Sequence, residues 1–409
     1  MSNKLPNGWK EYKLGEVAKI VGGGTPKTDI DEYWNRDIPW ITPKDLSNFN
    51  GRYISKGERN ISEKGLVNSS AKLLPPGTIL LTSRAPVGYL AIAENEITTN
   101  QGFRSLVPLN NIDNIFLFYL LKNNIEYLKS HATGTTFGEL AGSVLKSLVF
   151  LFPPLPEQRA IASVLSSLDD KIELNRRMNE TLEAIARAIF KSWFVDFDPV
   201  RAKAEGREPA GMDAETAALF PDSFEETELG MVPKGWRVET IGTVLELAYG
   251  KALKEDCRKP GKIPVFGSNG QVGWHDEKLA DGPGIIVGRK GNPGIVTWSP
   301  TDFFSIDTTF YVKPKGPCKS MFYLFHNLCN QDLVSLGSDS AVPGLNRNLA
   351  YGSQMLVPSA KVLEIFDKHI AIIYEKIHAN DKQNRNIAAM RDALLPKLLS
   401  GEVRTEVRS

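Results

Sequence analysis

Polar side chains able to hold or read another molecule recur in this sequence at the ends of short apolar runs. In the first part they are Thr25, Lys27, Thr42, Lys44, Ser83, Arg84, Asn100, Gln101, Thr135 and Thr136. In the second they are Tyr249, Lys251, Ser268, Asn269, Arg289, Lys290, Asn292, Thr308, Ser338 and Asn346. On loops, such groups donate and accept hydrogen bonds in the way that recognises base edges and phosphates. Any one of them alone is more often a solvated loop residue. Arg84 and Arg289 stand higher, because each follows an apolar run and a repeat in the sequence puts them at matching places.

Reactive constellations do not accompany these residues, so no catalytic residue and no metal ligand is assigned. The sequence has no Gly-x-x-x-x-Gly-Lys-Ser/Thr phosphate loop, no Gly-x-Gly-x-x-Gly opening a helix after a strand, and no His-Glu-x-x-His. Gly22-Gly23-Gly24 is followed by Thr25-Pro26, and a proline there removes a backbone donor that a phosphate cradle would use. Neither an Asn-Pro-Pro-Tyr methyltransferase motif nor a nuclease-like Pro-Asp and Glu-x-Lys set is found. Five scattered histidines and Cys257, Cys318 and Cys329 lack metal-ligand spacing, and the cysteines read as reduced thiols.

The elements that position the polar turns come in two copies. Pro6-Asn7-Gly8-Trp9-Lys10 and Leu14-Gly15-Glu16-Val17 return as Pro233-Lys234-Gly235-Trp236-Arg237 and Ile241-Gly242-Thr243-Val244. Ile38-Pro39-Trp40 is echoed by Ile263-Pro264-Val265. Residues 77–84 with Gly88 are echoed by residues 284–289 with Gly294, each reading as a buried strand running into a basic turn. Short β runs follow at Leu90–Ala93 and Arg104–Val107, then at Gly294–Trp298 and Thr309–Val312. One amphipathic helix is expected near Asn114–Ser130 and one near Ser320–Val334, each followed by a Gly/Ser/Thr loop. With 409 residues, 42% of them apolar, the chain can bury a core in each copy. Its net charge of +1 conceals two mildly basic bodies, residues 1–150 and 231–357, on either side of an acidic stretch, residues 151–230.

Each copy ends in a long helix. From Leu155 to Trp193 a 3.5-residue repeat passes through Ile161, Leu165, Leu168, Ile172, Asn175, Asn179, Leu182, Ala186, Ile189 and Trp193. The same steps recur through Ile370, Ile373, Ile377, Asn380, Asn384, Ile387, Leu394 and Leu398, with Arg391 the one break. So narrow a seam needs a partner helix, and at 1.5 Å per residue it makes a rod of roughly 50 Å. An antiparallel pairing places Asn175 opposite Asn384 and Asn179 opposite Asn380, so that each buried amide meets another. The first helix is expected to stop near Asp198-Pro199, and Pro396 to kink or end the second. Residues 199–230 read as a linker with little core of their own. The expected fold class is α+β: two β-rich domains joined by two long helices in an antiparallel coiled coil, with an internal pseudo-twofold repeat. Its segments are 1–152, 153–198, 199–230, 231–357 and 358–409. The opening residues 1–13 carry no apolar run and no later stretch could span a bilayer, so a cytoplasmic protein is expected.

Two stretches resemble the DNA specificity subunit of type I restriction-modification systems. Gly23-Gly24-Thr25-Pro26 with residues 38–45 looks like the start of a target recognition domain of that family. Residues 152–161, from Phe152-Pro153-Pro154-Leu155-Pro156-Glu157-Gln158-Arg159, followed by Leu168-Asp169-Asp170-Lys171-Ile172, look like its central conserved region. The second copy departs from the pattern, with Tyr249-Gly250-Lys251 in place of Gly-Gly-Thr-Pro. The resemblance implies a non-catalytic module in which each recognition domain reads half of a bipartite target in double-stranded DNA. Two modification subunits would dock on the helices and a restriction/translocase subunit would join them. S-adenosylmethionine, ATP and Mg2+ would belong to those partners, with no cofactor in this chain. Since the seam is occupied, the outward residues Arg176, Arg177, Glu180 and Glu183, with Phe194 and Phe197, are expected to bind the partners. A competing reading is a two-headed adaptor whose β domains grip proteins or glycans. Another is an enzyme with an unfamiliar site.

Overall fold

The computed structural model describes residues 6–134, 138–316, 318–337 and 344–405. The chain divides into two compact units, Met1–Asn175 with Lys382–Ser409, and Arg176–Asp381. Each unit contains one end of both long helices, and the fold is α+β, as the sequence pattern predicts.

The first unit is built on a five-stranded sheet. Its strands are β1 (Ala18–Gly22), β2 (Tyr53–Ile54), β3 (Ile79–Leu81), β4 (Leu90–Ala93) and β5 (Arg104–Pro108), in the order β1-β5-β3-β4-β2. Ile79, Leu80 and Leu81 are buried on both faces, which is why this run carries no alternation. The helix Asn114–Asn123, capped by the Asp113 carboxylate accepting from Phe116 N at 2.9 Å, covers the sheet with Phe116, Leu117 and Leu121.

In the second unit the corresponding sheet has β6 (Leu245–Tyr249), β7 (Gly284–Gly288), β8 (Val296–Ser299) and β9 (Thr309–Pro314), in the order β6-β9-β7-β8. The order matches β1-β5-β3-β4, and the helix Met321–Asn330, capped by Ser320, stands where Asn114–Asn123 does. In each unit a three-stranded sheet follows one plan, with Trp34–Ile41 or Ile263–Gly267 between an antiparallel and a parallel neighbour. A ribbon in each unit closes its β-rich part, Lys10–Lys13 with Val149–Phe152 and Arg237–Thr240 with Gln354–Val357.

The long helices are Leu155–Phe194 and Ala360–Ser400. Pro156 sits in the first turn of the first, where no intrahelical donor is needed. None of the seam residues predicted from the repeat is exposed. In the first unit Asn175 Nδ2 donates to Asn384 Oδ1 and to Gln383 Oε1, both at 2.8 Å. In the second, Asn380 Nδ2 donates to Asn179 Oδ1 at 2.8 Å, and Asn179 Nδ2 to Asp381 Oδ1 at 2.8 Å. The antiparallel register is therefore the one that the asparagine positions require.

Three expectations are corrected. The first helix ends at Phe194, because Phe197 takes a left-handed conformation (φ 56°) and a new helix starts at Asp198 with Pro199 in its first turn. Pro396 does not end the second, which runs on to Ser400: burial of Leu395, Leu398 and Leu399 outweighs the hydrogen bond that the proline cannot make, and Gly401 (φ 74°) ends it. Residues 199–230 are not an unpacked linker. Val200, Phe220 and Val232 are buried in the second unit's core, with the Phe220 ring 5.1 Å from that of Trp193.

Candidate nucleic-acid interface

The polar turns cluster beyond the ends of β1, β3 and β5 in one unit and of β6, β7 and β9 in the other. Gly23 follows β1, and a Cβ there would lie 2.0 Å from the carbonyl oxygen of Asn100. At Gly250, after β6, a Cβ would lie 2.0 Å from the carbonyl oxygen of Ile306. Only glycine allows these approaches. The second copy thus keeps the close backbone packing of the Gly-Gly-Thr-Pro turn while losing its side chains.

Strand pairing fixes how the two copies correspond. Gly88 N donates to Thr82 O and Gly294 N to Gly288 O, while Ser83 N donates to Gly102 O and Arg289 N to Thr308 O. Each bond recurs 206 residues later, as Gly88 to Gly294 shows. Arg289 therefore corresponds to Ser83, and Lys290 to Arg84, which corrects the matching of Arg84 with Arg289. A slip of one residue changes which face a side chain takes. Ser83 is fully buried, its hydroxyl donating to Gly102 O at 3.2 Å, so it shapes the turn and offers no surface to a ligand.

Other predicted residues divide by what already holds them. Thr42 caps a short helix, its N and Oγ1 donating to Asp45 Oδ2 at 2.7 and 2.6 Å. Asn346 caps another, accepting from Asn348 N and Leu349 N. Lys44 is exposed and bonded to Glu58 at 2.8 Å, and that bond raises its pKa. Thr25 donates to the Gln101 side chain, and Asn100 Oδ1 accepts from Gly102 N at 2.8 Å. Asn292 donates to Asn269. Lys27, Lys251 and Lys290 are exposed, while Ser268 and Thr308 are half-buried. Thr135, Thr136 and Ser338 lie outside the described residues.

Three charged residues missed from sequence join this region. Arg104, inside β5, bonds Glu139 at 3.0 Å, and Glu139 also lies 3.9 Å from Arg84. In the second unit Arg347 and Arg289 lie over the Tyr249 ring, 4.7 and 4.9 Å from its centroid. The position of Arg104 within an apolar run made it read as a strand residue. Arg347, beside the loop near Asn346, carried no local signal.

The motif acids of the central region fasten the first unit together. Asp169 accepts from Tyr119 Oη at 2.6 Å and from Arg391 at 2.5 Å, while Asp170 accepts from Arg52 at 2.6 Å. Burial alone would raise the Asp169 pKa, but bonds from Tyr119 and Arg391 outweigh it and hold it below the ordinary carboxylate value. Buried Gln158 accepts from Asp113 N at 3.0 Å and donates to Pro153 O at 2.9 Å; buried Glu157 accepts from Trp9 Nε1 at 3.2 Å and from Arg404 at 3.1 Å. Arg391, the break in the apolar seam, is thereby accounted for.

Of the predicted partner-contact residues, Arg176, Arg177, Glu180 and Glu183 are exposed on the first long helix, with Glu183 3.6 Å from Arg187. Phe194 is buried among Tyr323, Trp236 and Phe366, and Phe197 packs on Phe224 and Trp236. Phe194 belongs to the core, because the helix end turns it inward, while Phe197 is half-buried against that core. Among the described residues there is no cluster of three or more potential metal ligands, and no helix long and apolar enough to cross a membrane.

Residues 6–184 match the family model described as "Type I restriction modification DNA specificity domain". The specificity subunit of the type I restriction enzyme MjaIX of Methanocaldococcus jannaschii is 35% identical, the alignment covering 98% of this chain and 95% of that protein. The HindI specificity subunit of Haemophilus influenzae is 26% identical over 97% of this chain and 99% of its own length. A crystal structure of a type I restriction-modification S subunit from M. genitalium shares the fold, with a TM-score of 0.57 at 20% identity and 97% of each chain covered. The chain belongs to the family of type I restriction enzyme specificity subunits.

Proposed function

We propose that this chain reads a bipartite, asymmetric target in double-stranded DNA and directs partner subunits to methylate or cleave. Like other specificity subunits it is non-catalytic. One observation carries the reading: two units share one strand order and one hydrogen-bond pattern, yet place different polar groups at the same turns. Ser83 corresponds to Arg289 in the repeat, Arg84 to Lys290, and Asn100 to Ile306. A common scaffold with divergent turns is what two independent half-site readers need. Residues 1–152 and 231–357 act as the recognition domains. Residues 153–198 and 358–409 supply the helices, and residues 199–230 connect them while packing on the second core.

Two modification subunits dock on the helices, where Arg176, Arg177, Glu180 and Glu183 are the exposed candidates, and a restriction/translocase subunit completes the assembly. S-adenosylmethionine, ATP and Mg2+ serve in those partners. Family membership weighs against the adaptor reading. The test is duplex binding by the full chain, assembled with its modification subunits, across a salt series. Affinity falls steeply with salt and one duplex sequence is preferred; binding that ignores both salt and sequence refutes the reading.

A further inference from the structure

The same corner of the two units carries opposite electrostatic arrangements. In the first, Glu139 is shared by Arg104 and Arg84. The bond from Leu140 N to Ser83 O recurs as that from Leu345 N to Arg289 O, so the place of Glu139 is taken by Gly344. The helices that follow, Gly142–Ser147 and Arg347–Gly352, keep this step and put Arg347 where the first unit has Gly142. Tyr249 stands at the place of Gly22, and Arg289 at that of Ser83.

The Glu139 carboxylate has thus been lost and Arg289 and Arg347 gained, while Phe310 stands at the place of Arg104 and Asp307 at that of Gln101. Arg289 and Arg347 each lie over the Tyr249 ring, itself 49% exposed, and Arg289 Nη1 also donates to Asp307 O at 3.0 Å. The partners seen for the two guanidinium groups among the described residues are the aromatic rings and Asp307 O, and Lys290 next to Arg289 is exposed. Stacking holds a guanidinium by its face and leaves its N–H edge to an acceptor in the ring's surroundings. Two such cations at one ring repel each other, and an anion that accepts from both relieves the repulsion.

Resting on the DNA-binding reading, we propose that Tyr249, Arg289 and Arg347 form a clamp for one phosphodiester of the DNA backbone, built only in the second unit, while in the first Glu139 offsets the charge of Arg84 and Arg104. The clamp adds affinity and fixes register without reading a base.

The test compares the full chain and its Arg289→Gln/Arg347→Gln and Glu139→Gln variants, each assembled with modification subunits, on a labelled random-sequence duplex and on the duplex selected by the wild type. Between about 50 and 200 mM salt, the double variant is expected to lose about one unit of the slope of log affinity against log salt. It weakens both duplexes by the same factor. Glu139→Gln is expected to steepen the slope and tighten both duplexes. Unchanged thermal unfolding shows that the variants fold, since the charged groups replaced are at the surface. An unchanged slope in the double variant overturns the clamp, and so does a loss confined to the selected duplex with one base position relaxed, which marks a base reader. A wild type that binds no duplex overturns the DNA reading beneath it as well.

Discussion

The two units fix their small helix to the long helices by different chemistry at the same place. In the first, Tyr119 on Asn114–Asn123 bonds Asp169, which Arg391 bonds from the opposite helix. In the second, His326 on Met321–Asn330 meets Tyr374 at 3.3 Å, and Ala186 fills the opposite position, fully buried. Around it Phe190, Trp193, Phe194, Phe366 and Tyr323 form an aromatic core. One root is an ionic lock and the other an apolar plug. The scaffold tolerates either, provided that the buried polar groups at each root have partners.

The largest effect should come from hollowing the apolar root. Trp193→Ala is expected to destabilise the second unit by about 3–5 kcal/mol, read by denaturant unfolding, with amide exchange placing the loss there. Breaking the ionic root is next. Arg391→Ala leaves half-buried Asp169 without its bonded cation, only Lys122 remaining near, and should cost the first unit about 3 kcal/mol. If Arg391→Ala loosens the second unit instead, the contrast between the roots fails.

Acid should separate the roots without any mutation. Burial, with Arg187 nearby, lowers the His326 pKa to about 4 from its ordinary 6.5. The unfolded chain therefore binds more protons between those values, and the second unit loses stability as pH falls through that window, by about 3 kcal/mol in full. Asp169 is held below its ordinary value of 3.8, so its contribution persists above that pH and is lost only as pH falls through the lower folded value. Between pH 6 and about 4.5 the second unit should open first in exchange measurements. His326→Phe should flatten its response.

A smaller effect is expected at the asparagine seam. Asn380→Leu leaves the Asn179 carbonyl without its donor and should cost about 1–3 kcal/mol, and Asn179→Leu/Asn380→Leu together should restore much of it. Least of all, Lys44→Ala breaks a fully exposed pair with Glu58 and should leave the unfolding midpoint unchanged.

Reading the sequence succeeded where the physics is local and periodic. The seam and its asparagines announce themselves every three or four residues, and both amide pairs form as the register requires. The roots were illegible because Asp169 finds Tyr119 and Arg391 at separations of 50 and 222 residues, which no local pattern encodes. Arg84 was matched with Arg289 because both are basic and end similar runs, whereas hydrogen bonds set the true correspondence one residue away. Phe194 follows the last seam residue and reads as available, and only the turn at Phe197 shows that the chain folds it inward, with Phe197 half-buried beside it.

The claim that each unit reads its own half of the target is tested most directly by exchanging residues 231–357 for those of a relative and mapping the methylated sites that the reassembled complex makes. One half of the target should change to the relative's and the other should stay as it was. A change in both halves, or in neither, would contradict the account.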